Sequence, residues 1–348
     1  MGKCKLCNKE SITVSQKIGY CASCVRENFL EINKEIKEIH KNLREDFSLP
    51  KEVPDFEEGK KCSQCVNDCK IFEKGYGYCG LIKNEKGIKR SEDFGYLDYY
   101  YDPLPTNCVA SFICNAPRGY KSLAVFFRHC SFNCLYCQNW HFKLSPKKRY
   151  SISEMLEKVN SEIFCVCYFG GDPTPNIYYV INLSEKILEK QKCRICFETN
   201  GSVSLNIFKK IVYLALKSEG IIKIDLKAFS PEIYYTLTGS SNKNTLKNIE
   251  YASQFFDKRK EPPLLVVSVL LVPGYVDKYE IKEIVKFISK VNLEIPISFL
   301  AYYPTFYLND LPKTSRSHAE LAKKIALDYG IKRVNIGNIH LLSNLYSH

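Results

Sequence analysis

With 348 residues, 45% hydrophobic and 25% charged, the chain has enough apolar material to bury a full core, which excludes a disordered or fibrous class. It holds no run of eighteen apolar residues, and Met1 leads into Gly2-Lys3-Cys4 without an apolar leader, so a cytoplasmic protein with no membrane attachment is expected. The formal net charge of +12 admits a polyanionic partner, but lysines spread along stretches such as "DKYEIKEIVKFISK" describe a solvated helical face.

The 17 cysteines fall into groups, and in a reducing compartment such spacings indicate metal ligation rather than disulfides. Cys4, Cys7, Cys21 and Cys24 form two C-x-x-C knuckles, "CKLC" and "CASC", with the spacing of a zinc ribbon. In "ENFLEINKEIKEIHKNLREDF", Phe29, Ile32, Ile36, Ile39 and Leu43 recur at helical spacing. Ribbon and helix make up an expected first unit, residues 1–50, able to fold around its zinc. Residues 51–60, acidic, with Pro50 just before them and Pro54 within them, read as a linker. The segment 61–118 opens with "CSQCVNDCKIFEKGYGYCG", where Cys62, Cys65, Cys69 and Cys79 offer four ligands for zinc or an iron–sulfur cluster. Cys108 and Cys114 are expected to be buried thiols rather than ligands. The tyrosine run Tyr99–Tyr101 is expected to pack between the two parts of the chain.

From residue 119 to 345 the texture alternates. The apolar runs "SLAVFFR", "EIFCVCYF", "CRICFET", "GIIKIDL", "LLVVSVLLV", "PISFLAY" and "RVNIG" are separated by helix-like stretches, the pattern of βα units and a parallel sheet. Six or seven such units with no G-x-G-x-x-G after the first strand point to an α/β fold, a partial (β/α)6-type barrel, rather than a Rossmann sheet. Chemistry in such barrels collects at the C-terminal strand ends. The first five ends carry a C-x3-C-x2-C loop (Cys130, Cys134, Cys137), "GGDP", "ETNG", "DLKAFS" and "VPG". Cys165, Cys167, Cys193 and Cys196 lie in or beside strands and are expected to pack in the core. For His129 and His141, which flank the cysteine loop, a structural role is preferred over proton relay.

Three cysteines without a fourth leave one iron of a cubane cluster open to a chelating small molecule. The C-x3-C-x2-C loop with Tyr136 before its last cysteine, followed by the Gly-Gly-acid-Pro tip, resembles the radical S-adenosylmethionine (SAM) superfamily over about residues 120–345. "CQNW", "GGDPTP", "DLKAFSPEIYYTLTG" and "LLVPGYVDKYEI" are similar to pyruvate formate-lyase activating enzymes and, with "GYCG", closer still to AmmeMemoRadiSam proteins. The resemblance implies a [4Fe–4S] cluster on Cys130, Cys134 and Cys137 that binds SAM through its open iron. Cleavage of SAM to methionine and a 5′-deoxyadenosyl radical then abstracts hydrogen from substrate. It further implies that Tyr136 belongs to the cofactor site and that Gly170, Gly171 and Asp172 meet the amino group of SAM. Asn200 and Lys227 would reach its ribose or carboxylate, and Ser268 with Pro273 and Gly274 would shape the adenine side. An electron donor such as ferredoxin or flavodoxin follows, and a macromolecular substrate, protein in preference to RNA. The rival reading is a zinc-ribbon nucleic-acid-binding or RNA-modifying protein. It is weakened by the charge balance of residues 1–50, which carry 9 basic and 7 acidic groups.

Overall fold

The computed structural model describes residues 1–144 and 148–347. At the N-terminus, β1 (Gly2–Lys3) pairs antiparallel with β2 (Glu10–Ser11), and the short helix α1 (Ala22–Glu27) leads into α2 (Phe29–Glu45). The expected apolar stripe of α2 is the buried one, with Ile32, Ile36 and Leu43 inside and Phe29 edge-on to Tyr235 at 5.9 Å. Hairpins β3 (Lys60–Lys61)/β4 (Lys70–Ile71) and β5 (Lys83–Asn84)/β6 (Ile88–Lys89) frame the second cysteine block. Buried Arg44 joins that block to α2: its guanidinium donates to the Tyr78 carbonyl and stacks on the Tyr78 ring at 3.5 Å.

The body of the molecule is one sheet of nine strands. Seven run parallel in chain order: β8 (Lys121–Phe127), β10 (Ile163–Gly170), β11 (Arg194–Thr199), β12 (Ile222–Asp225), β13 (Leu265–Leu271), β14 (Ile297–Ala301) and β15 (Val334–Gly337). Between and beyond them run α3 (Ile152–Glu157), α4 (Ile177–Lys190), α5 (Leu205–Lys217), α6 (Pro231–Thr238), α7 (Lys243–Ser253), α8 (Lys278–Val291) and α9 (Arg316–Asp328). This is the expected partial barrel, with its cysteine-rich N-terminal extension.

Alternation along the strands sorts the two faces. Val125, Phe127, Val166, Tyr168, Ile195, Phe197, Ile222, Ile224, Val267 and Val269 are buried in the main core, each contributing about 1.5–3 kcal/mol. Their neighbours in sequence, among them Ser122, Cys167, Glu198, Lys223, Asp225 and Ser268, face the inside of the barrel and line its cavities.

Two further strands extend the sheet. β7 (Phe94–Pro103) pairs antiparallel with β8, placing Tyr99 opposite Val125 and Tyr101 opposite Leu123, and β9 (Arg149–Ser151) pairs with β7. The tyrosine run is therefore part of a strand, not a packing layer between two units. Tyr99 packs within this edge against Tyr101 and Tyr150, at 6.1 and 5.6 Å between ring centroids. Tyrosine has the β propensity that suits it to a half-exposed pleated surface.

The ribbon does not stand apart from the barrel. Val14, Ile18, Tyr20 and Val25 belong to the same core as the strands. Tyr275 donates its hydroxyl to the Tyr20 carbonyl at 2.8 Å and accepts from Ser15 N at 3.2 Å. Arg26 pairs with Asp277 at 2.8 Å and with buried Glu280 at 3.4 Å. Among the described residues no helix is long and apolar enough to cross a membrane.

Buried His40 on α2 is bonded through one ring nitrogen to the Thr236 carbonyl at 3.1 Å and through the other to the Asn133 amide at 3.1 Å. Burial holds its pKa down to about 4, against about 6.5 for an unfolded histidine. A depressed histidine contributes stability that is fully present above pH ~6.5 and is lost as pH falls toward 4, about 3 kcal/mol in all. Denaturant unfolding at pH 7 and pH 5 should show a smaller acid loss in His40→Gln than in the wild type. Equal losses would remove His40 as the cause.

Candidate cofactor site

The loop that follows β8 is pinned to α6. Asn133 N donates to Thr238 O at 2.8 Å, Leu135 N to Leu237 O at 2.9 Å, and Phe132 packs edge-on to Tyr234. So held, Cys130, Cys134 and Cys137 line one cavity of about 210 Å³ at the C-terminal mouth of the barrel. Burial pushes all three thiols up in pKa, Cys134 to about 12. Against that, Lys227 favours the thiolate forms of Cys134 and Cys137, as does Lys143. Cys130 Sγ accepts from Phe132 N at 3.4 Å and from the Asn200 amide at 3.8 Å. Donors and cations aimed at sulfur suit thiolates that hold a metal centre, which deprotonates its ligands.

The same cavity is lined by Tyr136, Gly170, Gly171, Asp172, Asn200, Lys227 and Ser268. The buried Tyr136 hydroxyl has no hydrogen-bond partner among the described residues, an orphaned polar group of the kind a ligand satisfies. Lys227 Nζ lies 2.8 Å from Asp225 Oδ2, and Ser268 donates to the other oxygen of Asp225. The salt-bridged lysine and the cavity lysine are thus the same residue. Lys227→Met should raise the half-saturating SAM concentration by about 10–100-fold, because a charged hydrogen bond is worth about 1.5–3 kcal/mol. An unchanged value, read from the SAM dependence of 5′-deoxyadenosine formation, would remove Lys227 from the site.

The Gly170–Gly171–Asp172 tip lines the cavity and is at the same time fastened to its neighbouring strands. Gly170 adopts φ +106°, and a Cβ on Gly171 would sit 2.4 Å from His129 O. The close approach is to the β8 backbone, where Gly171 N donates to Phe127 O and Asp172 N to His129 O, both at 2.8 Å. Asp172 accepts from Thr174 N, Thr199 Oγ1 and Asn200 N at 2.8, 3.0 and 2.8 Å. Its carboxylate fastens the β10 tip to the β11 tip. Asn200 in turn donates to Ser131 Oγ at 3.0 Å and so steadies the cysteine loop.

Gly274 lies outside this cavity. A Cβ there would fall 2.0 Å from Thr13 O, and its φ of +76° serves the contact between the β13 tip and the ribbon. Ser268, six residues earlier, is the part of that strand that reaches the cavity.

The four thiols of the second block, Cys62, Cys65, Cys69 and Cys79, line one small void together with Ser131, Thr174 and Pro175 of the barrel. Ribbon thiols Cys4, Cys7, Cys21 and Cys24 all lie within 4.8 Å of one another, and among the described residues they are the group of three or more metal-binding side chains that does so.

The radical SAM superfamily profile matches residues 124–288. A Methanocaldococcus jannaschii protein, whose name proposes a glycyl-radical enzyme activating enzyme, is 31% identical over 209 residues, covering 58% of this chain and 74% of that protein. The chain belongs to the radical SAM superfamily. A second, uncharacterized protein of the same organism is 24% identical over 289 residues, 80% of this chain and 81% of that protein.

Two solved structures are also similar. Streptococcus suis SuiB bound to precursor peptide SuiA has a TM-score of 0.48 at 17% identity, and the alignment covers 61% of this chain and 47% of that one. A domain of a pyruvate-formate lyase-activating enzyme from Bacteroides vulgatus has a TM-score of 0.42 at 19% identity, covering 50% and 98%.

Radical SAM membership implies a [4Fe–4S] cluster and SAM as cofactors, and the three thiols, the orphaned Tyr136 hydroxyl and the Lys227–Asp225 pair fit both. Sequence reading missed Lys143, which is directed at the thiols and bonded to Asn133 Oδ1 at 2.9 Å. It also left out Phe169 and Glu198, which form the inner wall of the cavity. Their position on alternate, inward-facing strand sites was the available signal. Trp140 stacks on His141 at 4.0 Å, which places His141 in an aromatic surface cluster with Phe306. Buried His129 packs edge-on to Tyr96.

Proposed function

We propose that this protein is a radical SAM enzyme that cleaves SAM reductively and abstracts hydrogen from a macromolecular substrate, a polypeptide in preference to RNA. The observation that carries this reading is the set of three cysteine thiols in one barrel-mouth cavity, with a cation and an orphaned hydroxyl facing them. Cys130, Cys134 and Cys137 hold the [4Fe–4S] cluster. That cluster, with SAM and one electron from a donor such as ferredoxin or flavodoxin, would supply the hydrogen-abstracting chemistry at this mouth of the barrel. Lys227, poised by Asp225, receives the carboxylate of SAM, and Tyr136 donates its free hydroxyl to the ligand. Asp172 and Asn200 act as positioning residues through the loops they fasten, and Ser268 holds the second oxygen of Asp225.

The ribbon thiols bind zinc, whose tetrahedral bonds of about 2.3 Å require sulfurs gathered as closely as these. The 62–79 thiols hold a second metal centre around their shared void. A protein substrate is favoured because the relative of 31% identity is named for activation of another enzyme. The ribbon buries apolar residues against the barrel and nets little charge, which disfavours a nucleic-acid reader. The test is to incubate reduced enzyme with SAM and size-fractionated extract, following 5′-deoxyadenosine above the uncoupled background. Stimulation that survives ribonuclease and vanishes with protease is expected. Ribonuclease sensitivity would transfer the reading to RNA, and stimulation by the small-molecule fraction alone would overturn a macromolecular target.

A further inference from the structure

Below the cofactor cavity the barrel holds a second chamber of about 240 Å³. The loop between β7 and β8 closes its floor, with Leu104 and Ala110 buried against Ile221 and Val266. That loop carries Cys108 and Cys114 inward. From the strands, Cys165, Cys167 and Cys196 point into the same space. Cys167 and Cys196 are direct partners in the β10–β11 register. Five of the chain's 17 cysteines therefore line one chamber. Cys165 and Cys196 are buried in a core cluster, as expected, and also face the chamber, whereas Cys193 is buried away from it.

The chamber is also cationic. Lys223, only 1% exposed, places Nζ 3.0 Å from Cys167 Sγ and 3.3 Å from Cys108 Sγ, with Glu198 at 3.5 Å. Arg194 approaches Cys114 Sγ at 3.7 Å. Burying an ammonium costs several kcal/mol unless negative charge answers it, and Glu198 answers Lys223 in part. The two sulfurs lie closer than that carboxylate, and thiolates committed to a metal centre would answer the ammonium better than neutral thiols.

We propose that this chamber is a further metal site, in which Cys108, Cys167 and Cys196, with Cys114 and Cys165 beside them, hold a sulfide-bridged iron cluster. A single zinc would need at least three of the sulfurs drawn within one tight tetrahedron. Among the described residues only the ribbon thiols are gathered so closely, within 4.8 Å, whereas the lumenal thiols ring a chamber. Bridging sulfides spread thiolate ligands over several irons, which matches that ring. Phe169 and Glu198 line both this chamber and the cofactor cavity, so the two centres face one another across those side chains.

The test uses full-length protein purified without oxygen. Relative to the wild type, Cys108→Ala/Cys167→Ala/Cys196→Ala should lose about two or more iron and sulfide ions per chain, the content of the smallest such cluster. The SAM-dependent change in the remaining cluster spectrum should persist. Iron and sulfide contents equal to wild type would overturn the site, and so would loss of zinc in place of iron. Alkylation mapped by mass spectrometry decides the question without mutation. In iron-replete wild-type protein Cys108 and Cys114 should resist iodoacetamide and become labelled once iron is chelated. Equal labelling before and after chelation would overturn the proposal. Protection released by a disulfide reductant instead of a chelator would overturn it too.

Discussion

Replacing Cys130, Cys134 and Cys137 together with Ala should lower reductive SAM cleavage by a thousandfold or more, roughly 4 kcal/mol or more of lost transition-state stabilisation. Among the described residues the three thiols are the cysteine sulfurs on the wall of the cofactor cavity, so the loss should be near complete rather than graded. The fold should survive, because the loop is pinned to α6 by backbone bonds from Asn133 and Leu135 rather than by sulfur. An unchanged far-ultraviolet circular dichroism spectrum and unfolding midpoint would certify this. Cleavage within tenfold of wild type in such a variant would refute the assignment of the cluster loop.

Removing the ribbon should destabilise the barrel instead of sparing it. Arg26→Ala is expected to cost about 2–4 kcal/mol, because it takes one partner from a buried ion pair. In a protein of this size that is a fall of roughly 3–6 °C in the unfolding midpoint. Glu280 is fully buried and accepts from Phe229 N at 2.7 Å and Ser230 N at 2.9 Å, so its charge also fixes the loop that follows Lys227. A chain without residues 1–25 would lose Arg26's neighbours and uncover Tyr275 and Gly274 as well. In place of a separable module at residues 1–50, the ribbon is expected to support the barrel, so that Arg26→Ala and treatment with a chelator each lower the unfolding midpoint. Calorimetry of Arg26→Ala and of chelator-treated wild type tests it. An unfolding midpoint within 1 °C of untreated protein in both cases would contradict it.

The parallel strands and their chemical tips were legible because each apolar run is short, rich in Val, Ile and Phe, and ends in polar or glycine residues. The cysteine loop was legible from spacing alone. β7 escaped because Asp98, Asp102 and Pro103 interrupt its pattern; among the described residues the stretch Asp98–Pro103 is paired as a ladder on one side alone, to β8, which tolerates them. The contact made by Gly274 was not legible, because a strand-tip motif does not name the backbone its glycine approaches, here Thr13, 261 residues away in sequence. The lumenal thiols posed the same difficulty. Alternation puts Cys165 and Cys167 on one face of β10, yet only the curved sheet shows that this face is a chamber wall and not a helix contact. Lys143 lies beyond the motif, and only the turn through Trp140 brings it back to the thiols.

The most direct measurement is electron paramagnetic resonance of the reduced, reconstituted wild-type protein during titration with SAM. The signal of the cluster on Cys130, Cys134 and Cys137 should change with saturation, and 5′-deoxyadenosine and methionine should appear in equal amounts. A signal indifferent to saturating SAM, absent from the triple alanine variant and so traced to those three cysteines, would contradict an open iron site that binds SAM.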